Sequence, residues 1–254
     1  MADFDRKARR ARLRLLGIGV AAAAVLTAGG IVAVTSLGDE DAGNGSKANP
    51  SPSVSSTAGS PGKAKEYTPA TAARMSLLKA KSNADGIGTG FPNGALGATS
   101  AAVSYWEGLD LLDDVIARKQ WTAIADKDSP ETIDQGVSEV RKVREGVGLP
   151  PSGGTPDGVT FSTSVKAVLA NSLDKSGEVV VVWMVYDRFA TVRDKGADNN
   201  PLRDEDTNLI VKWDGTDWKV TTEAKYTAKV EAPRSYHPDS KWAFAAGWRE
   251  VSSG

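Results

Sequence analysis

Few side chains in this chain could carry out chemistry, and their spacing narrows the options further. There is one histidine, His237, and no cysteine. A Ser–His–Asp arrangement would have to recruit His237, which lies between Tyr236 and Pro238 in a loop-like stretch, and no G-x-S-x-G elbow is present to hold a nucleophile. The lack of cysteine removes thiolate nucleophiles, zinc–thiolate sites and disulfides together. Asp187 and Arg188 are consecutive charges in an apolar run. Consecutive strand residues point to opposite faces, so Asp187 and Arg188 are not expected to share one cavity. They are expected to mark where the strand leaves its cover. Two acidic groups offer hard oxygen ligands: Asp204, Glu205 and Asp206 in an expected loop, and Asp110, Asp113 and Asp114 near an expected helix boundary. Neither has the spacing of a calcium loop, so solvated acidic segments are the expectation. The glycine-rich stretch from Asp85 to Gly94 lacks the Lys-Ser/Thr ending and preceding strand of a phosphate loop, and reads as a turn. No catalytic set, cofactor or metal follows from these residues. The remaining conspicuous group is aromatic: Tyr236, Trp242, Phe244 and Trp248 in a tail of the kind that either docks on its own domain or forms a partner surface.

The elements that must position these groups begin at Tyr67. Thr68-Pro69 is a helix-start signal, and Met75, Leu77 and Leu78 suggest a short amphipathic helix. From Ala95 to about Asp114 apolar residues recur at helical spacing (Leu96, Val103, Trp106, Leu109, Leu112), and a second helical segment carries Val115, Ile116, Trp121 and Ile124. Ser129-Pro130-Glu131 reads as cap, first-turn proline and first-turn carboxylate of a third helix. Ile133, Val137 and Val140 form the stripe of that helix, and Gly146, Gly148, Pro150 and Pro151 end it. After Gly158 the period falls to two, with strands expected over Val159–Leu169 and Gly177–Val192. The second of these, GEVVVVWMVYDRFATV, is apolar on both faces and so should be central. Asn208–Trp213 and Trp218–Tyr226 flank the hairpin signal Asp214-Gly-Thr-Asp217, the last strand having one wet face. Helices followed by antiparallel strands imply an α+β class, helices laid on a curved sheet.

Upstream lies a different kind of sequence. Leu15 to Leu37 is an uncharged run of 23 residues, long enough as a helix to cross a hydrocarbon core of about 30 Å. Arg6, Lys7, Arg9, Arg10, Arg12 and Arg14 precede it against Asp3 and Asp5, a net of +4 that leaves −5 for the rest of a chain whose total is −1. The positive-inside rule then puts residues 1–14 in the cytoplasm and everything after Leu37 outside. A cleaved signal peptide is the alternative, although its apolar core usually runs about 7 to 15 residues. Gly19, Ala23 and Thr27 fall four apart, a spacing that lets transmembrane helices approach one another. Residues 38–66 are rich in Gly, Ala, Ser, Pro and Lys, too poor in apolar surface to fold, and suit a tether with a reach on the order of 30 Å. The expected organisation is therefore tail 1–14, transmembrane helix 15–37, linker 38–66, extracytoplasmic domain 67–232 and aromatic segment 233–254. The expected contacts are the lipid bilayer and either an envelope protein or a second copy of the chain, with no role in binding nucleic acid.

Three stretches, FPNGALGATSAAVSYW, GEVVVVWMVYDRF and LIVKWDGTDWKVTTEAKY, in that order resemble the nuclear transport factor 2-like (cystatin-like) fold. The resemblance covers about Phe91 to Tyr226. With the anchor, the layout is similar to single-pass actinobacterial membrane proteins found near conjugation genes and to tethered domains of type IV secretion assemblies. It implies a non-enzymatic binding or assembly module. As an alternative it implies a cone-shaped cavity that takes, or turns over, a small ligand, with Asp187, Arg188 and Tyr105 as the candidate groups for acid–base work in it.

Overall fold

A computed structural model describes residues 68–193, 196–197 and 201–252. The expected tail, anchor and linker lie outside the described residues, and among those described no helix is long and apolar enough to cross a membrane. A two-stranded hairpin opens the domain, β1 (Ser82–Ala84) and β2 (Ile87–Thr89). Helices α1 (Ala95–Gly108), α2 (Asp114–Ile124) and α3 (Glu131–Gly146) follow. The main sheet comprises β3 (Val159–Ser172), β4 (Val179–Val192), the short β5 (Gly196–Ala197), β6 (Leu202–Trp213) and β7 (Trp218–Val220). Two short helices, α4 (Ala224–Thr227) and α5 (Lys241–Ala245), lead to the last strand, β8 (Arg249–Glu250). The strand order is β7-β6-β4-β3-β8, with β5 folded back on β4 and all pairings antiparallel. The protein is α+β, with helices packed on an antiparallel sheet.

The central position of β4 follows from its composition. Val179 to Tyr186 are all buried, and alternate residues enter different cores. Val180, Val182, Met184 and Tyr186 pack under the helices with Ala98, Ala102, Trp106 and Trp121. Val179, Val181, Trp183 and Val185 pack on the opposite face with Ile210, Ala243 and Trp248. Burying side chains of this size contributes about 1.5–3 kcal/mol each, so both faces need a cover. The helices supply one and residues 226–248 the other. Bulges interrupt β3 between Val165 and Ala167 and β6 between Leu202 and Glu205, opposite Tyr186 and Arg188, and bulges bend and twist the strands that carry them.

Three expectations give way to tertiary structure. The segment around Met75 is extended instead of helical: the Met75 N–H donates to the Glu250 carbonyl, and Ser252 donates back to Met75. A helix this short is marginal alone, and the free edge of β8 offers its backbone a better set of bonds. Asp85-Gly86 is the turn of the β1–β2 hairpin, both residues having positive φ, so the glycine-rich stretch contains a strand, Ile87–Thr89, as well as the turn. The closing strand stops at Val220, where the α2–α3 loop pairs with it through the Asp126 N–H and the Val220 carbonyl. Thr221, expected on a wet face, is fully buried, and Ala224–Thr227 is a helical turn.

Ser129 does not cap α3. It is fully buried, its hydroxyl donating to Thr221 Oγ1 at 3.2 Å, while Pro130 occupies the cap position. In the second helical segment Trp121 and Ile124 are buried, but Val115 and Ile116 are exposed. The helices are held close by a glycine: a Cβ at Gly136 would lie 2.2 Å from the Trp121 indole. Alanine gains about 1 kcal/mol of helix propensity over glycine, yet the overlap with a buried ring outweighs it. Gly136→Ala is therefore expected to destabilise the protein by about 1–3 kcal/mol, read from the midpoint of chemical denaturation. A higher midpoint would show that α2 and α3 are not packed this closely.

Candidate functional site

The residues singled out by type fall in separate places. Tyr105 is fully buried and donates to the Trp218 carbonyl at 2.6 Å. Burial, with the Asp217 and Asp214 charges, pushes its hydroxyl far above the usual range, so it serves as a structural donor. His237 is exposed, its Nδ1 accepting from the Asp239 N–H at 3.2 Å. Asp110 accepts from the Leu112 and Asp113 N–H groups, and Asp113 caps α2 through the Val115 and Ile116 N–H groups. Asp114 turns inward to Arg141, Ser152 and Gly153. The Gly153 N–H, helped by the Ser152 hydroxyl and Arg141, holds its carboxyl below the usual range against burial. Asp204, Glu205 and Asp206 belong to β6 and not to a loop. The Gly90 and Phe91 N–H groups, which a phosphate would need, are taken by the Asp217 carboxylate at 2.8 and 3.0 Å.

Asp187 and Arg188 do not mark the end of the strand's cover: Asp187 is 9% exposed and Arg188 half-buried. Lys166, the bulged residue of β3, bridges Asp187 at 2.8 Å to Asp204. Burial pushes the Asp187 carboxyl up, but Lys166 and the Asp204 N–H outweigh it and hold it below its usual range. Asp187 is thus a satisfied ion-pair member.

Arg188 points into the other side, against a cleft between the helices and the sheet lined chiefly by Trp106, Leu109, Trp121, Val140 and Val143. The cleft has about 40 Å³ of room and opens to solvent on one side. The guanidinium lies over the rings of Trp106 and Tyr186, with its carbon 5.2 and 5.0 Å from their centroids, and its Nε donates to Thr163 Oγ1 at 3.0 Å. Among the described residues Arg188 forms no ion pair, and its Nη2 is buried without an acceptor. The Trp106 indole N–H is buried without an acceptor as well, in a side chain only 3% exposed. Burial pulls the guanidinium pKa down, and Tyr186 and Glu205 oppose that pull. An arginine nonetheless keeps its charge in a protein. The acids lining the cleft are engaged elsewhere: Asp110 in its own turn, Glu139 with Lys142 at 2.6 Å.

The aromatic tail is divided. Phe244 and Trp248 are 2% exposed, and the Trp248 N–H donates to the Arg234 carbonyl. Tyr236 is half-buried against both rings and donates to Glu250 Oε1 at 3.1 Å. Trp242 is 59% exposed, with Arg234 and Lys241 over its ring. A second cleft of about 200 Å³ lies between this segment and the sheet, where Trp183, Tyr236 and Trp248 meet Asp204 and Asp206.

One cluster has the spacing of a metal site and was not visible in the sequence. Asp126, Asp128 and Glu223 bring carboxylate oxygens together from the α2–α3 loop and the segment after β7. Lys212 of β6 already fills the space between them, its ammonium 2.7, 2.6 and 3.0 Å from the three acids. Burial pulls that ammonium down, but the carboxylates outweigh it and hold it above its ordinary range. Arg144 was missed equally: its side chain, 3% exposed, donates to the carbonyls of Pro150, Gly153, Gly154 and Leu112. Only the fold brings such partners together, so no local pattern announces them. Lys212→Met leaves three converging carboxylates without their cation. It is expected to destabilise the protein by about 2–3 kcal/mol, with part of the loss recovered on adding millimolar calcium, both read by thermal unfolding. An unchanged melting temperature would contradict this reading of the cluster. No family model, curated protein or solved structure matches this chain.

Proposed function

We propose that the chain is a single-pass membrane protein that holds a non-enzymatic binding module outside the cytoplasm, and that the cleft under the helices is its ligand site. One observation carries the second half: an apolar cleft that, among the described residues, keeps an arginine without a counter-anion beside an indole N–H without an acceptor. Trp183 Nε1, Thr207 Oγ1 and Asn208 Nδ2 are buried without a partner as well, but Arg188 is the charged group among them, and an unpaired buried charge costs the most, which favours a ligand over a packed core. The chemistry-bearing residues support binding over catalysis: Tyr105, Asp187 and Asp114 are each committed to structural partners. The first half rests on the uncharged run Leu15–Leu37 and its basic flank. A place in a conjugation or secretion assembly remains part of the proposal, and exposed Trp242 between two cations is the surface that favours an envelope partner.

Two measurements test the two halves. A periplasmic phosphatase fused after Tyr67 is expected to be active in cells, and one fused after Ala11 inactive; the reverse pattern would overturn the orientation. Hexanol, a neutral probe for the apolar cleft, is expected to raise the melting temperature of the full-length chain saturably. Leu109→Trp, which fills the cleft, is expected to abolish that rise. If neither hexanol nor an anion of the same length has a saturable effect, the cleft is not a ligand site.

A further inference from the structure

The two unsatisfied donors define what the cleft can accept. Leaving a charged group buried without a partner is costly, and Arg188 has none within reach among the described residues. Its guanidinium is held in place against the Trp106 and Tyr186 rings and tied through Nε to Thr163. A fork held so rigidly loses little freedom on binding and matches a planar oxyanion. Arg188 Nη2 and Trp106 Nε1 are both buried without an acceptor, and a carboxylate has two oxygens. A phosphate dianion carries twice the charge of the one guanidinium, and apolar walls would strip its outer oxygens of their water. A cation is excluded by Arg188 itself. The walls facing the head group are Leu109, Trp121, Val140 and Val143, which suit hydrocarbon.

Size fixes the rest of the shape. One water needs about 10–15 Å³ of room measured this way, so about 40 Å³ holds a head group of a few heavy atoms. A longer ligand must leave through the open side, toward the rim where Asp110 and Glu139 stand. Both acids are held by their own partners, Asp110 by the Leu112 and Asp113 N–H groups and Glu139 by Lys142. Glu205, next to Tyr186 in the β4–β6 register, is the acid whose charge acts on Arg188, but it makes no ion pair with it. Its own carboxyl is pushed up by burial and then by Asp206, which weakens its claim on the guanidinium.

We propose that this cleft binds the carboxylate end of an apolar ligand, with Arg188 Nη2 and Trp106 Nε1 each donating to one oxygen. The assignment rests on the reading of the cleft as a ligand site and adds its chemistry: a monocarboxylate with an aliphatic body, such as a short acyl chain.

The test compares hexanoate, hexanol and hexylammonium as probes of equal length on the full-length chain in lipid nanodiscs, with empty nanodiscs as the blank. Binding is followed at the Trp106 indole N–H by NMR, the resonance being assigned by its loss in Trp106→Phe. Hexanoate is expected to bind at least about tenfold more tightly than hexanol, the difference a charge-assisted hydrogen bond provides. Hexylammonium is expected not to bind. Arg188→Gln is expected to erase the preference for hexanoate over hexanol. Trp106→Phe, which keeps the ring under the guanidinium, is expected to reduce that preference severalfold, followed by thermal shift. If hexanol binds as tightly as hexanoate to the unaltered chain, the carboxylate assignment fails while the ligand site stands. If no probe binds, both fail. If Arg188→Gln keeps the preference, Arg188 is not the receptor and the assignment is overturned.

Discussion

Strand β4 sets the terms for the rest of the domain, because from Val179 to Tyr186 it presents apolar side chains on both faces. Neither face can be left to water, and a single layer of helices can cover only one. The three helices therefore account for half of the architecture. The other half falls to residues 226–248, which carry Tyr226, Tyr236, Ala243, Phe244 and Trp248 onto the outer face. The terminal segment is then pinned twice: β8 pairs with β3 at Ala167 and Val168, and the segment through Met75 is bonded in turn to Glu250 and Ser252. The first and last described segments of the domain thus meet at one sheet edge.

Polar groups hold the covers in place. Lys212 ties β6 to the α2–α3 loop and to the segment after β7. Arg144 and Asp114 gather the backbone of residues 150–154 against α2 and α3. Asp217 binds the β2–α1 connection through Gly90 and Phe91. Each charged group has found neutral or opposite partners, as burial requires. Against that background Arg188 differs, since it shares the interior with Trp106 and Tyr186 and has no anion among the described residues. Arg188 stands where β4 and β6 shift register, beside the cleft lined by the helices.

Periodicity made the helices α1 to α3 and the central strand legible, because long apolar repeats survive tertiary context. The α+β class followed from their order. The short elements were not legible. Met75, Leu77 and Leu78 have helical spacing, but a neighbouring strand edge decides their backbone. The apparent strand after Val220 is broken by Ser129 and Thr132, which meet Thr221 and Thr222 from some 90 residues away. Asp187 and Arg188 drew notice as a pair of adjacent charges, and their opposite facing followed from strand geometry alone. Which of the two was satisfied depended on Lys166, displaced into reach by a bulge that no local motif encodes.

The account makes Arg188 the centre of function: a cation held by aromatic stacking and left open for an acidic group from outside. The most direct measurement is a crystal structure of the protein soaked in bromide, with the anion located by its anomalous signal. The account predicts a bromide ion in the cleft, within hydrogen-bonding reach of Arg188 Nη2 and the Trp106 indole N–H. A cleft without bromide, in crystals whose exposed lysines and arginines do bind it, would contradict the account and reduce Arg188 to a stacked structural residue.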